Sequence, residues 1–523
     1  MKKGVKWISV TMALGLTASV IVSGCAKSEE PGAASAGSSG GSAVSAEKTY
    51  NGVDVSKEVK IKWLGVGGNQ KDKDAVLTEI NKRLKEKVNV TLELDSIDWA
   101  DWYNKYNLVL SSGEDYDVIY AASWTDVAVQ TRKGAFKDLT GMLEQNAPTI
   151  SQNWTEDTWN ESKIDGRVFM IPSFSDEYNW NGFLYREDLR KKYNVPEIKT
   201  MADMGAYFEA IKQNEKEMVP YKPATDESWT VLAPYVQEKG DQPDVTPPGI
   251  LSMQVDDQDG STLAFLSQSP IYAEAFKTIK SWADKGYWPK DSLANKTESC
   301  SAFKEGKAAA CQGGYWAIEL NYKEIMKAHP DWEIGSYAAK VGGKYFPKPP
   351  SIKNGVAILN SSKNAERALM TIDAIYSDPE LWTLCMYGIQ GRNYDIDANG
   401  AKTLPEGAKS TDYEGTYFSG MRYKLVNPFK DDPSSPNAAL KEEYAKIAHF
   451  PKLGSFVFNS EPVKNEYAAI SAVKEKYNPS LSLGLVSDVD KVLADYDKEM
   501  KAAGADKVMA EYKKQMQEWL AKN

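Results

Sequence analysis

Hydrophobic and polar positions along residues 59–122 switch between two periods. Val59, Ile61 and Trp63 open a strand, "VKIKWLGVGG" (59–68), that runs out into glycines. "DKDAVLTEINKRLKEK" (72–87) then sets Ala75, Val76, Ile80 and Leu84 at helical spacing. "VNVTLELDSI" (88–97) alternates as a strand, and "WADWYNKYNLVLSSGE" (99–114) reads as a helix ending at Gly113. "YDVIYAA" (116–122) is a third strand. Strand, helix, strand, helix, strand predicts an α/β fold with a parallel, doubly wound sheet. In such a sheet ligands bind beyond the carboxyl ends of the strands. Trp124 lies just past one of those ends. Further helices are predicted over 203–216, 270–286 and 364–388. In the closing stretch, 488–523, Val508, Met509, Tyr512, Met516, Trp519 and Leu520 form one apolar stripe, a docking face.

The first residues follow no such pattern. Lys2, Lys3 and Lys6 precede an apolar run from Trp7 to Val22, which reads as an export signal over residues 1–24. "VSGC" (22–25) resembles the lipobox of bacterial lipoproteins. That resemblance makes Cys25 the mature N-terminus, carrying a diacylglyceryl thioether and further acylation such as palmitate. Two or more acyl chains anchor stably where one does not. Gly, Ser, Ala and Glu dominate as far as Ala46, a composition that buries too little to order itself, so 25–54 is expected to be a lipidated flexible tether.

The remaining body, about 500 residues, is too long for one core and is expected to split into domains. The chain's net charge of −10 argues against a nucleic-acid partner. Cys300 and Cys311 lie close enough for a small disulfide loop outside the cell, or stand as two buried thiols. Cys385, inside a helical pattern, reads as a small core residue.

Eight segments in order resemble the extracellular solute-binding proteins (family 1) of ABC importers, in their long Gram-positive lipoprotein form. They are "SSGEDYDVIY" (111–120), "GAFKDLTGML" (134–143), "DGRVFMIP" (165–172), "LYREDLRKKYNVP" (184–196), "FKEGKAAACQGGYW" (303–316), "NGVAILNSSKNAERAL" (354–369), "GIQGRNY" (388–394) and "VFNSEPVKNEYAAI" (457–470). The resemblance implies a two-lobe, periplasmic-binding-protein-like fold of type II, hinged between lobes that close on ligand. The first lobe would comprise 55–183 and 352–392. The second would comprise 186–350 and 395–523, with a helical C-terminal extension. It also implies a monomer that serves ABC permease subunits from the outer face of the cell membrane.

A saccharide offers hydroxyls at its edges and flat C–H faces, which aromatic rings and polar groups cover together. Trp99, Trp124, Trp180, Trp229, Trp288 and Trp316 fall near predicted loop ends, whereas Trp63 and Trp282 fall within elements and belong to the core. Positions resembling the family's cleft give a ligand-binding set of Asn69, Trp124, Asp176, Trp180, Trp229, Trp316 and Arg392. The expected ligand is a carbohydrate, an oligosaccharide above all, with a peptide or other polar solute as the alternative.

Other motifs carry less. "GVGGNQ" (65–70) has Gln70 where a dinucleotide fingerprint needs its third glycine, and no cofactor is expected. Asp395, Asp397, Asn399, Gly400 and Glu406 match a calcium loop, yet Lys402 and Pro405 break its context, and a hairpin turning on "ANG" explains it better. His329 and His449 are the only histidines, too few for most triads or zinc sites. A binding protein rather than an enzyme is therefore expected. A secreted polysaccharide-degrading enzyme remains the rival, because a carboxylate pair is easily assembled from so acidic a chain.

Overall fold

The computed structural model describes residues 48–522 apart from 175–177, 179, 225–230, 242–249, 255–256, 258, 298, 423–428, 434 and 452. The chain divides into two compact units, Met1–Glu47 and Lys48–Asn523, and the described residues belong to the second. The signal, Cys25 and most of the tether lie outside them, as do Asp176 and Trp229. No helix among the described residues is long and apolar enough to cross a membrane.

Two sheets organise the unit. The first has the strand order Val90–Ile97, Val59–Val66, Val118–Ala121, Gly355–Ile358, Met170–Pro172. The first three are parallel, as the alternating sequence predicts, and Gly355–Ile358 runs antiparallel to both its neighbours. Successive side chains point to opposite faces. Ile61 and Trp63 thus enter a core with Val76, Ile80 and Leu84, while Leu64 and Val66 enter another with Ile97, Trp102 and Ile119. The helix predicted over 72–87 forms as Lys73–Val88 and buries Val76, Ile80, Leu84 and Val88.

The second sheet has the order Val219–Tyr221, Ala308–Gly314, Asn181–Arg186, Ile334–Ala338. One face packs on helices Met201–Asn214 and Pro270–Asp284 and on the C-terminal helices, through Leu493, Tyr496, Met500, Val508, Tyr512 and Met516. The apolar stripe of the tail is indeed a docking face. On the other face Cys300 and Cys311 are disulfide-bonded, joining helix Ser299–Lys304 to strand Ala308–Gly314. Cys385 is a buried free thiol.

Two lobe boundaries need correction. Strand Asn181–Arg186, whose first residues were expected in the first lobe, pairs along its length in the second sheet. More consequentially, Tyr413, Tyr417, Phe418 and Met421 are core residues of the first lobe, not the second. They lie in and around two short 3-10 turns, Ser410–Asp412 and Thr416–Met421, so no period of two or 3.6 marks them in sequence. This segment also explains the glycines of "GVGG". A Cβ on Gly65 would come within 2.5 Å of the Tyr417 carbonyl oxygen, and one on Gly67, at φ +118, would meet Thr416 Oγ1.

One buried acid lacks a cationic neighbour. Asp241 is wholly buried and accepts from Ser252 Oγ at 2.6 Å. Burial pushes its carboxyl up to about 6, against the hydrogen bond from Ser252. A folded-state value above the unfolded one means that the folded form holds the proton more tightly. Its stabilising contribution is therefore complete below about pH 4 and lost as pH rises through 6. Asp241→Asn keeps an acceptor for Ser252 and removes the charge. Urea melts should find the variant about 1–2 kcal/mol more stable at pH 7, with the gain vanishing near pH 4. Equal stability at both pH values would contradict this account.

Candidate functional site

In the first sheet Ala121 pairs with Gly355 and Gly355 with Pro172. Parallel strands end together, and an antiparallel neighbour begins where they end. The loops after Val66, Ala121 and Pro172 and the residues before Gly355 therefore share one edge of the lobe. Trp124 stands there in a 3-10 turn, Ser123–Thr125, half-buried. Its indole Nε1 donates to Asn354 Oδ1 at 3.0 Å, and Tyr120 Oη donates to the same oxygen at 2.6 Å. Trp99, half exposed at 50 %, lies 5.8 Å from it, centroid to centroid, at 37°. Trp102 and Tyr120 pack behind, at 6.4 and 5.8 Å. The edge thus carries an indole pair whose second member is fixed by an amide from the start of another strand.

The second sheet repeats the construction. Asn181 pairs with Gly314 and Gly182 with Ala338, so the residues just before Asn181 and just after Gly314 share an edge. Trp316, in the first turn of helix Tyr315–Ala328, is 39 % exposed there. The Arg422 guanidinium stands 5.6 Å from its ring. Arg422 belongs to the returning segment, and its carbonyl accepts from the backbone N–H of Phe174 at 2.5 Å and from Ser173 Oγ at 3.3 Å. Ser173 N–H donates in turn to the Asn354 carbonyl at 2.8 Å. One hydrogen-bonded chain therefore links the residue that fixes Trp124 to the residue that covers Trp316.

The other expected residues fare differently. Trp180 is 2 % exposed, in a core with Leu184, Cys311 and Ile318, its ring meeting Tyr315 edge-on at 5.7 Å. Its position directly before a central strand carries it under the lobe surface, so in this structure it packs rather than lines the cleft. Asn69 is exposed in the first strand-to-helix loop, beside Gln70, which is buried and bonded to Thr416, Tyr417 and Glu414. Arg392 reaches the same loop. Its guanidinium donates to Asp72 Oδ1 at 2.6 Å, and with Asn393 it holds that buried carboxyl below the usual carboxylate range. Asp176 and Trp229 lie outside the described residues.

Asn354 and Arg422 were missed because an amide and a guanidinium on irregular segments leave no periodic trace. The predicted hairpin forms as Asp395–Ile396 against Lys402–Thr403. Asp397 within it is occupied by Lys430 and by the backbone N–H groups of Asn399 and Ala401. Among the described residues no three His, Cys, Asp or Glu side chains are grouped to hold a metal ion. His329 stacks on Trp332 at 3.7 Å, and His449 meets Tyr345 edge-on. The groups placed at the strand-end edges are aromatic faces with an amide and a guanidinium, the chemistry that covers a solute's C–H faces and hydroxyls.

A family model described as "Bacterial extracellular solute-binding protein" matches residues 79–387, and one described as a domain of unknown function, DUF3502, matches 452–521. A relative from Streptococcus pneumoniae serotype 4, a "Carbohydrate ABC transporter substrate-binding protein", is 25 % identical over 459 residues, 85 % of this chain and 87 % of its own. The crystal structure of an N-glycan transport solute binding protein, NgtS, from Streptococcus pneumoniae superposes with a TM-score of 0.73 at 20 % identity, over 89 % of this chain and 99 % of that one. Its complex with Man5GlcNAc superposes at 0.66, at 20 % identity and over the same shares of the two chains. Two lobes, loops gathered at the strand ends and a family match across most of both sheets agree: the chain belongs to the bacterial extracellular solute-binding proteins.

Proposed function

We propose that this chain is the lipid-anchored extracellular receptor of an ABC importer, binding an oligosaccharide between its lobes and passing it unaltered to the permease. The observation that carries this reading is the placement of Trp99 and Trp124 at the strand-end edge of one sheet and of Trp316 at that of the other, linked through Asn354, Ser173 and Arg422. Rings of this kind cover the C–H faces of a sugar, while Asn354, Asn69, Arg422 and Arg392 are polar partners for its hydroxyls. Asp176 and Trp229 complete the proposed set. The name of the pneumococcal relative supports a carbohydrate as the solute.

Titration calorimetry with Man1GlcNAc and Man5GlcNAc, the sugars in the NgtS complexes, followed by a wider glycan panel, tests it. A bound sugar at a hundred times its Kd should stabilise the fold by about 2.7 kcal/mol. A flat calorimetric and thermal response to every glycan would overturn the reading. Saturating sugar should also shrink the radius of gyration in small-angle scattering, because a ligand touching both lobes favours the closed state. The anchor has its own check. Cys25→Ala should leave the chain unprocessed or release it to the medium, whereas an unmodified Cys25 in membrane-retained wild type would sink the lipoprotein proposal.

A further inference from the structure

A second concave site lies apart from the tryptophans just described. A groove of about 950 Å3 runs between the first lobe's hairpin, Lys163–Ile164 against Arg167–Val168, and the C-terminal extension. Its walls come from both lobes. Arg132, at the end of the helix that follows Trp124, forks onto Asp165 at 3.0 and 3.1 Å. The same guanidinium donates to the carbonyls of Val457 and Phe458 at 3.3 and 3.4 Å. The extension is thus tied to the first lobe while its helices are built into the second lobe's core.

The lining has the chemistry of a saccharide site rather than of a packing gap. Trp519, half-buried on the last helix, meets Phe456 at 64°, edge to face rather than stacked. Around it stand Gln515, Asn459 and Glu518 from the extension and Asn160 from the first lobe. Gln515 is held in place, its amide both donating to the Asn459 carbonyl and accepting from the Asn459 N–H at 2.8 Å. Arg132 pairs with Asp165, and the other charges of the lining are mixed, Lys163 and Lys522 beside Glu161, Glu511 and Glu518, so no patch of one sign is presented that would demand an ionic ligand. An indole beside fixed amides and a carboxylate suits an uncharged, hydroxyl-rich chain.

Two contacts link the groove's walls to the first site. Val457, in its wall, packs on the same apolar cluster as Trp124. Glu161, in its opposite wall, accepts from Ser351 Oγ at 2.6 Å, three residues before Asn354. The volume matches the upper range of ligand pockets, enough for several sugar units. We propose that this groove is a second oligosaccharide subsite, in which the C-terminal extension holds the sugar units that project beyond the tryptophan-lined cleft. The inference rests on the oligosaccharide reading above and gives the extension its role: selection for long or branched glycans.

Two variants of the full chain test it against Man5GlcNAc and Man1GlcNAc by calorimetry. Trp519→Ala removes the indole, and Glu518→Trp, at an exposed position, crowds the groove without touching the core. Each should weaken Man5GlcNAc by about tenfold or more while leaving Man1GlcNAc within about twofold. Thermal melts accompany both, and if Trp519→Ala loosens the terminal helix, Glu518→Trp alone decides. Equal losses for the two glycans, or no loss for either, would overturn the groove and leave the cleft reading standing. A wild type that binds neither these two glycans nor any other of the panel would overturn both.

Discussion

Trp124→Ala should cut affinity for the bound oligosaccharide by well over an order of magnitude while the first lobe stays folded. The indole is half-buried, and its Nε1 is spent on Asn354, so what it can offer a ligand is its face. Truncating a tryptophan at a binding hot spot typically costs about 2 kcal/mol or more, and about 1.4 kcal/mol is tenfold in Kd. The structural loss should be smaller. Trp102 is fully buried behind it and Tyr120 nearly so, and both remain when Trp124 goes. A fully enclosed tryptophan would cost about 3–5 kcal/mol of stability, and Trp124 is not fully enclosed. Calorimetry and a urea melt on the one variant separate the outcomes. Unchanged affinity in a folded variant, or a stability loss of core size, would refute the stacking role. Asn354→Ala should follow in the same direction with a smaller effect, because it frees the ring that it fixes.

The double variant Cys300→Ala/Cys311→Ala should lower the unfolding free energy of the second lobe by about 2–3 kcal/mol. The bridge spans 11 positions in sequence, and closing a loop of about 15 residues in the unfolded chain is worth roughly 3 kcal/mol in the chain-entropy model. Alanine leaves small cavities where the sulfurs were, since both residues are buried in the cluster that holds Trp180 and Ile318. Oxidised wild type and variant compared in urea give the loss directly. Wild type unfolded with excess reductant should fall to nearly the same stability. Equal midpoints under oxidising conditions would mean that the bridge contributes nothing. Affinity should change little, because Trp316 is set by its helix and not by the bridge.

The contrast between Trp124 and Trp180 marks how far the sequence alone reaches. Both follow or precede a strand and both have polar neighbours in the chain, so they read alike. The structure separates them because Tyr315 and the helix that it begins close over Trp180, whereas Trp124, with Trp102 behind it and the half-exposed Trp99 beside it, stays half-buried. Whether a ring at a strand end is covered depends on elements more than a hundred residues away. The disulfide is a similar case. Two cysteines 11 apart permit a bridge, and only the pairing of helix Ser299–Lys304 with the next strand brings their sulfurs together.

By itself the sequence determined the local elements and the three parallel strands that open the first sheet. Its alternation of two periods assigns each apolar side chain a face, and a face that must be buried dictates a sheet between layers of helices. It also marked the strand ends as the candidate edge for a ligand and made the tail's stripe a docking surface. The tertiary structure decided what irregular backbone does. It brought Tyr413–Met421 back to the first lobe, where Tyr417 and Thr416 pass close over Gly65 and Gly67. It set Asn354 under Trp124 and Arg422 over Trp316. The reason is physical: a helix or strand repeats, so its burial pattern is written in its spacing, whereas a turn or a crossing segment is held by single contacts with distant residues. Those contacts exist only once the distant segments have come together.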